Sequence, residues 1–157
     1  NALLLLNDLS WIDKLIIIGD GVRKEKYQIL SKKISLDIQF KGWCNRQELN
    51  NYYKQIHIQV IPSKSEGFPK VLSESAAFGC VPIVSPLPAI KQIIKNNING
   101  MLISDLSSKK LAQLLTSVSK DRLNLKSMSN QIQKIADKFS YETYNHNILK
   151  NIIQKKL

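Results

Sequence analysis

Residues 57–85 read HIQVIPSKSEGFPKVLSESAAFGCVPIVS. The stretch falls into an apolar run at 57–62, a loop rich in Ser, Gly and Pro, a segment of helical spacing at 70–79, and a second apolar run at 81–85. A strand, a helix and a further strand at such short intervals form a right-handed crossover. That crossover places the two strands side by side and parallel.

The alternation repeats outward in both directions. Upstream, strands are expected at 15–19 and 37–40 and helices at 22–35 and 46–55; downstream follow a helix at 89–96 and a strand at 101–103. This order predicts a Rossmann-like, doubly wound parallel sheet, an α/β domain in three α/β/α layers with C-terminal helices. The uninterrupted run Leu15-Ile16-Ile17-Ile18 suits a strand covered on both faces. Beyond Asp105 only helices are expected. Residues 107–118 carry Leu111, Leu114, Leu115 and Val118 in one stripe, and 121–138 follow. Residues 141–155 start after Ser140 as N-cap, with Tyr141, Tyr144, Ile148, Leu149, Ile152 and Ile153 in a stripe. The early part of that last helix is expected to pack on the domain, and the later part to lack cover and favour self-association. Residues 95–100 read as a plain turn.

A chain of 157 residues holds one domain and is too short for two ordinary ones. Hydrophobic residues at 43% and charged residues at 22% exclude disorder as the main state. Lys and Arg number 23 against 12 Asp and Glu, a net charge of +11. Such an excess suits nucleic acid, an anionic membrane surface or a phosphorylated ligand. The cations are 20 Lys and 3 Arg, beside 21 Ile and 13 Asn, a skew that also matches the codon bias of an AT-rich genome. No apolar run approaches the ~20 residues that cross a bilayer, and residues 2–6 are too few for a signal-peptide core. Cys44 and Cys80 lack metal-ligand spacing and sit beside apolar residues, which points to core packing in a reduced compartment. The Asn1-Ala2 start is expected to lie partway into a gene.

Ligands of open α/β sheets sit at the carboxyl ends of the strands, so the chemistry is sought in those loops. Gly19-Asp20-Gly21-Val22-Arg23-Lys24 gives two glycines of a dinucleotide fingerprint and Lys24 in place of the third. A nicotinamide or flavin site is poorly supported; Gly21 either meets a phosphate or serves a turn that needs φ > 0. The loop from Pro62 to Glu74 is richer. Pro69 lies near the first helical position, and a helix start offers unpaired N–H groups and partial positive charge to a diphosphate. Gly67 lets such a ligand approach the backbone. Glu66 lies in the loop and Glu74 about one turn into the helix, at ~1.5 Å per residue. Two carboxylates flanking an anion site suit hydroxyls at its two ends, as in a sugar joined to a nucleoside through phosphates. The alternative is a solvated Glu66 and a Glu74 paired with Lys70 at i, i+4.

Residues 65–82, SEGFPKVLSESAAFGCVP, resemble the donor-binding signature of the retaining glycosyltransferases of group 1, the family 4 type with two Rossmann-like domains (GT-B fold). LIIIGDG at 15–21, IQFKG at 38–42, VIPS at 60–63, NGMLI at 99–103 and FSYE at 139–142 are similar to further family blocks in the same order. The resemblance implies the nucleotide-sugar-binding half of such an enzyme. Glu66 would be the catalytic residue, on the hydroxyls of the transferred sugar near the reacting carbon, and Glu74 would hold ribose hydroxyls. Gly67 and the backbone around Phe68, Lys70, Val71 and Leu72 would face the diphosphate. Gly21 would join the donor site, and Trp43 would stack on the base.

The resemblance further implies a nucleoside-diphosphate sugar as donor, no cofactor and no metal, and a glycan or lipid-linked acceptor held by an amino-terminal domain. Nucleic acid is not among the implied partners. Bacterial polysaccharide or envelope biosynthesis is the implied setting, in the cytoplasm with peripheral contact at the inner face of the membrane. By family topology a central strand belongs between 15–19 and 57–62. It would precede residue 1, as would an Arg and a Lys that offset charge on the leaving diphosphate. Either the chain is a truncated piece, inactive alone, or another segment takes that place. The sequence also departs from the family pattern. A customary Gly-Gly pair and glutamate are replaced by Ser85-Pro86-Leu87-Pro88-Ala89-Ile90-Lys91-Gln92. His57, expected to face solvent, stands where Asp is frequent, Lys70 replaces a small polar residue, and His146 falls on a polar helix face. The rival readings are an inactive nucleotide-sugar-binding or scaffold module and a basic nucleic-acid-binding domain. The second lacks the Arg-rich helix and interleaved aromatics it would need.

Overall fold

The computed structural model describes residues 1–136, so the helix expected at 141–155 lies outside the described residues. Five strands alternate with helices: β1 (Lys14–Ile18), α1 (Lys24–Ser31), β2 (Asp37–Gly42), α2 (Arg46–Tyr53), β3 (Ile58–Ile61), α3 (Lys70–Ala76), β4 (Val81–Val84), α4 (Pro88–Lys91) and β5 (Met101–Leu102). Then come α5 (Ser108–Lys120) and α6 (Arg122–Ala136), and a 3-10 helix, Ala2–Leu5, precedes β1. Every strand pair is parallel, as expected of crossovers through helices. The fold is Rossmann-like α/β.

The strands form two groups. β1 pairs with β2, and β3-β4-β5 form a separate sheet, so among the described residues β1 and β3 each keep an edge with no strand beside it. This departs from one continuous sheet. It also corrects the expectation that Leu15-Ile16-Ile17-Ile18 is covered on both faces: Leu15, Ile16 and Ile17 are half-buried and Ile18 is exposed. The physical reason is that β1 has a neighbour on one edge only and α1 buries no residue against it. A hollow of about 510 Å³ between α1 and β2, lined in part by Ile29, Ile38 and Phe40, marks the stand-off.

The core lies around β4, whose four residues are all buried. On one side Ile61, Leu72, Ala76, Val84, Ile90, Ile94 and Ile132 join α3, α4 and α6. On the other Val81, Ile83, Met101, Ile103, Leu115, Val118 and Met128 join α5 and α6, and Leu3, Leu6 and Trp11 pack against that cluster. Burial of such aliphatic side chains contributes about 1.5–3 kcal/mol each, and this is what fixes α3 at the carboxyl end of β3. Gly79 turns the chain from α3 into β4 at φ +74°, where a Cβ would lie 2.7 Å from Ser129 Oγ on α6.

The segment 95–100 is more than the plain turn expected. Asn99 is buried, its side chain accepting from Lys95 N at 2.7 Å and donating to Ile93 O at 3.0 Å, while Asn96 Oδ1 accepts from Leu102 N. Asn side chains that bond nearby backbone are the physical basis of such turns.

Candidate functional site

Three loops lie at the carboxyl ends of β1, β2 and β3, and every expected site residue is in one of them or in the helix that follows. The loop after β3 is anchored at its helix end. Pro69 is buried at the N-cap of α3, and Phe68 is half-buried against the core beside Ile61 and Leu72. Glu66 and Gly67 stand clear of this anchor and are exposed. Lys70 and Val71 are exposed on the first turn of α3, where backbone amides have no intrahelical acceptor. Leu72 is buried, and its amide already donates to Pro69 O at 2.9 Å, so it closes the first turn of the helix. Gln59 on β3 fixes the helix from below. It donates to Val71 O at 3.2 Å and accepts from Ser75 Oγ at 2.5 Å.

Glu74 resolves the alternative left open by its spacing. Among the described residues the one ion pair is Lys24–Asp20, so Glu74 is not paired with Lys70. Its carboxylate instead accepts from the hydroxyl of Tyr53, at 3.4 Å from Oε2. Burial, and then the charge of Glu74, push the Tyr53 phenol up to about 12, so it stays a neutral donor throughout the physiological range. The pairing joins residues 21 positions apart on two helices, which no local pattern signals.

The second part of the site is built by the loops after β1 and β2. Gly19 N donates to Gly42 O at 2.6 Å, and the Trp43 amide donates to Asp20 Oδ2 at 3.1 Å. Lys24 bonds the other carboxylate oxygen at 2.5 Å. That bond is the largest cause holding the Asp20 carboxyl below its ordinary value. A Cβ on Gly42 would lie 2.9 Å from Asp20 Oδ2, and Gly42 sits at φ +67°. Trp43 itself is 77% exposed. The positive φ anticipated for the first loop falls on Gly19, at +108°, and Gly21 is an exposed glycine with open space around it. The helix after this second loop, α2, starts with a capping box between Asn45 and Glu48 and ends on Tyr53. It thereby links the Trp43 loop to Glu74.

The remaining candidates are structural. Cys80 is buried, bonds Tyr53 O at 3.3 Å, and has its thiol pushed up to about 11 by burial. Cys44 is half-buried and raised by the same cause. His57 is exposed just before β3, as expected, and Gln92 is exposed just after α4. Among the described residues no group of His, Cys, Asp and Glu is arranged to hold a metal ion, and no helix is long and apolar enough to cross a membrane. Tyr53, Asp20 and Gln59 are the polar residues of this region that sequence reading missed.

Residues 13–139 match the model of a family described as "Glycosyl transferases group 1". The chain is 26% identical over 137 residues to the poly(glycerol-phosphate) alpha-glucosyltransferase of Bacillus subtilis, covering 85% of this chain and 20% of that protein. It spans about a quarter of the length of the first curated relatives it matches. In fold it is similar to the catalytic domain of cholesterol-alpha-glucosyltransferase from Helicobacter pylori. The TM-score is 0.75 at 21% identity, over 88% of this chain and 86% of that one. The Anabaena protein Alr3699/HepE, solved with UDP-glucose, also has TM-score 0.75, at 20% identity, over 88% of this chain and 40% of that one.

Proposed function

The chain belongs to the glycosyl transferases group 1 family, and from that premise we propose that it is the donor-binding half of a retaining glycosyltransferase. The transferred group is a sugar carried on a nucleoside diphosphate. The observation that carries the reading is the placement of two carboxylates about the start of α3. Glu66 is exposed in the loop, and Glu74 is held by Tyr53 instead of being spent on Lys70. Glu66 meets hydroxyls of the sugar, Glu74 the ribose, and Trp43 the base. Gly67, with the backbone of Phe68, Lys70, Val71 and Leu72, faces the diphosphate, and Gly21 approaches the donor from the loop after β1.

The chemistry follows from these positions. The bond between the anomeric carbon and the leaving phosphate oxygen breaks with oxocarbenium character. Preorganised amides and the Lys70 ammonium stabilise charge on the departing diphosphate, and Glu66 keeps the sugar oriented. The acceptor oxygen bonds the anomeric carbon on the face that the phosphate leaves and gives up its proton to the departing phosphate oxygen, so configuration is retained. No metal or cofactor is required by this scheme.

The acceptor, a glycan or lipid-linked glycan, is bound by an amino-terminal domain outside these residues. One further strand belongs between β1 and β3; that each has an edge unpaired among the described residues favours that reading. A net charge of +11 suits a cytoplasmic enzyme working at an anionic membrane face. The test is a pair of substitutions in the full-length protein. Glu74→Ala is expected to weaken binding of the sugar donor and of the free nucleoside diphosphate alike. Glu66→Ala is expected to spare the nucleotide and lower turnover. Equal effects of the two on nucleotide affinity defeat the assignment.

A further inference from the structure

We infer that Tyr53 is a positioning residue for the donor site, holding the Glu74 carboxylate in the orientation that receives the ribose hydroxyls. The inference rests on the reading that Glu74 meets the ribose. A glutamate on the surface of a helix samples several rotamers, and fixing it on ligand binding costs free energy. The phenol removes part of that cost in advance. A carboxylate has about four lone-pair sites on its two oxygens, so one bond from Tyr53 to Oε2 leaves Oε1 and part of Oε2 for a vicinal diol.

Tyr53 suits the task because it is itself immobile. It is 3% exposed, its ring packs on Phe78 at 5.9 Å between centroids, and its carbonyl accepts from the Cys80 thiol at 3.3 Å. Phe78 and Cys80 lie just beyond α3, so the tyrosine is locked to the chain that follows the helix bearing Glu74. The hydroxyl is the single polar atom of the side chain, and it points at the carboxylate. A tyrosine kept here only for packing would be served by phenylalanine. A buried hydroxyl aimed at a half-exposed carboxylate in the candidate site is served by tyrosine alone.

The experiment measures affinities of the full-length protein for UDP, ADP and GDP and for their 2′-deoxy counterparts, by calorimetry. It then follows the ribo-to-deoxy preference of whichever base binds best. Tyr53→Phe is expected to lower that preference by about three- to tenfold, the worth of one hydrogen bond, with a smaller loss of affinity for the deoxynucleotide, which keeps its 3′-hydroxyl. Phe78→Leu, which loosens the ring packing and leaves the hydroxyl in place, is expected to lower the preference by less than Tyr53→Phe does. Equal loss for ribo- and deoxynucleotide in Tyr53→Phe makes the role merely structural and overturns the inference. Glu74→Gln separates the two levels of the argument. If it abolishes the preference while Tyr53→Phe keeps it in full, the tyrosine inference falls and the ribose reading stands. If it leaves the preference intact, or if none of the three nucleotides binds, both fall.

Discussion

Replacing Gly79 by alanine is expected to destabilise the protein by roughly 2–3 kcal/mol, through two separable causes. Gly79 sits at φ +74°, a left-handed conformation that costs an alanine about 1–2 kcal/mol. The new Cβ would also stand 2.7 Å from Ser129 Oγ, well inside van der Waals distance. That oxygen donates to the Gly79 carbonyl at 2.6 Å. Turning it away forfeits the hydrogen bond, worth about 1 kcal/mol. For a chain of this size each 1 kcal/mol moves Tm by about 2–4 °C, so a fall of roughly 4–12 °C is expected. Urea unfolding followed by far-ultraviolet circular dichroism measures the change directly, with the slope against denaturant expected to stay constant. Ser129→Ala separates the causes. It should cost about 1 kcal/mol in the parent and close to nothing in the Gly79→Ala background, where the hydrogen bond is already lost. A Gly79→Ala protein within about 0.5 kcal/mol of the parent, or strictly additive costs, refutes the packing of α3 on α6 described above.

Three further outcomes are expected. Trp43→Ala should lose about 1–3 kcal/mol of nucleoside-diphosphate affinity if the ring stacks on the base. Its stability should stay within about 0.5 kcal/mol of the parent, because the ring is exposed; calorimetry and a thermal melt read the two. At high pH, burial holds the neutral forms of Cys80, from 9.0 to about 11, and Tyr53, from 10.0 to about 12. Folded values above the unfolded ones give stability that is complete below 9 and lost as pH climbs through 11 and 12. Tyr53→Phe should flatten the upper part of that decline in alkaline denaturation, and Cys80→Ala the lower. Finally, the purified 157-residue chain is expected to transfer no sugar to any acceptor, as judged by a radiolabelled-donor assay.

The alternation of apolar runs with helical spacing was enough to read the fold, since all five strands fall within a residue or two of their expected places. Boundaries slipped where local signals were absent. The helix expected at 22–35 is confined to Lys24–Ser31, and that expected at 89–96 to Pro88–Lys91. In the first case no buried face rewards continuation, for α1 buries nothing. The site was legible where it is local: Glu66, Gly67, Pro69, Lys70 and Glu74 lie in one continuous stretch. It was illegible where it depends on distant pairing. Tyr53 meets Glu74, and Asp20 meets Trp43, across 21 and 23 positions, and nothing in either neighbourhood announces the partner. The same holds for Gln59, an ordinary strand residue until its side chain is seen bridging Val71 and Ser75. Asn99 is a different miss, because the Asn-rich 95–100 segment did carry a signal for side-chain-to-backbone bonding.

The divided sheet bears on how this molecule comes apart. Between residues 3 and 52 not one residue is buried, whereas the stretch from Ile61 to Ile132 holds nearly all of the core. Cooperative unfolding needs shared buried surface, and β1, α1 and β2 share little of it with the rest. Their amides should exchange with solvent by opening events far cheaper than those that expose β4. A melt of the isolated chain should therefore show a minor early loss around β1, α1 and β2 ahead of the main transition around β4, whose midpoint is the one that Gly79→Ala lowers. Probes placed near Trp43 and near Gly79 would report different transitions. A strand laid across both free edges would tie the loosely held unit to the firm one, and the two steps would merge.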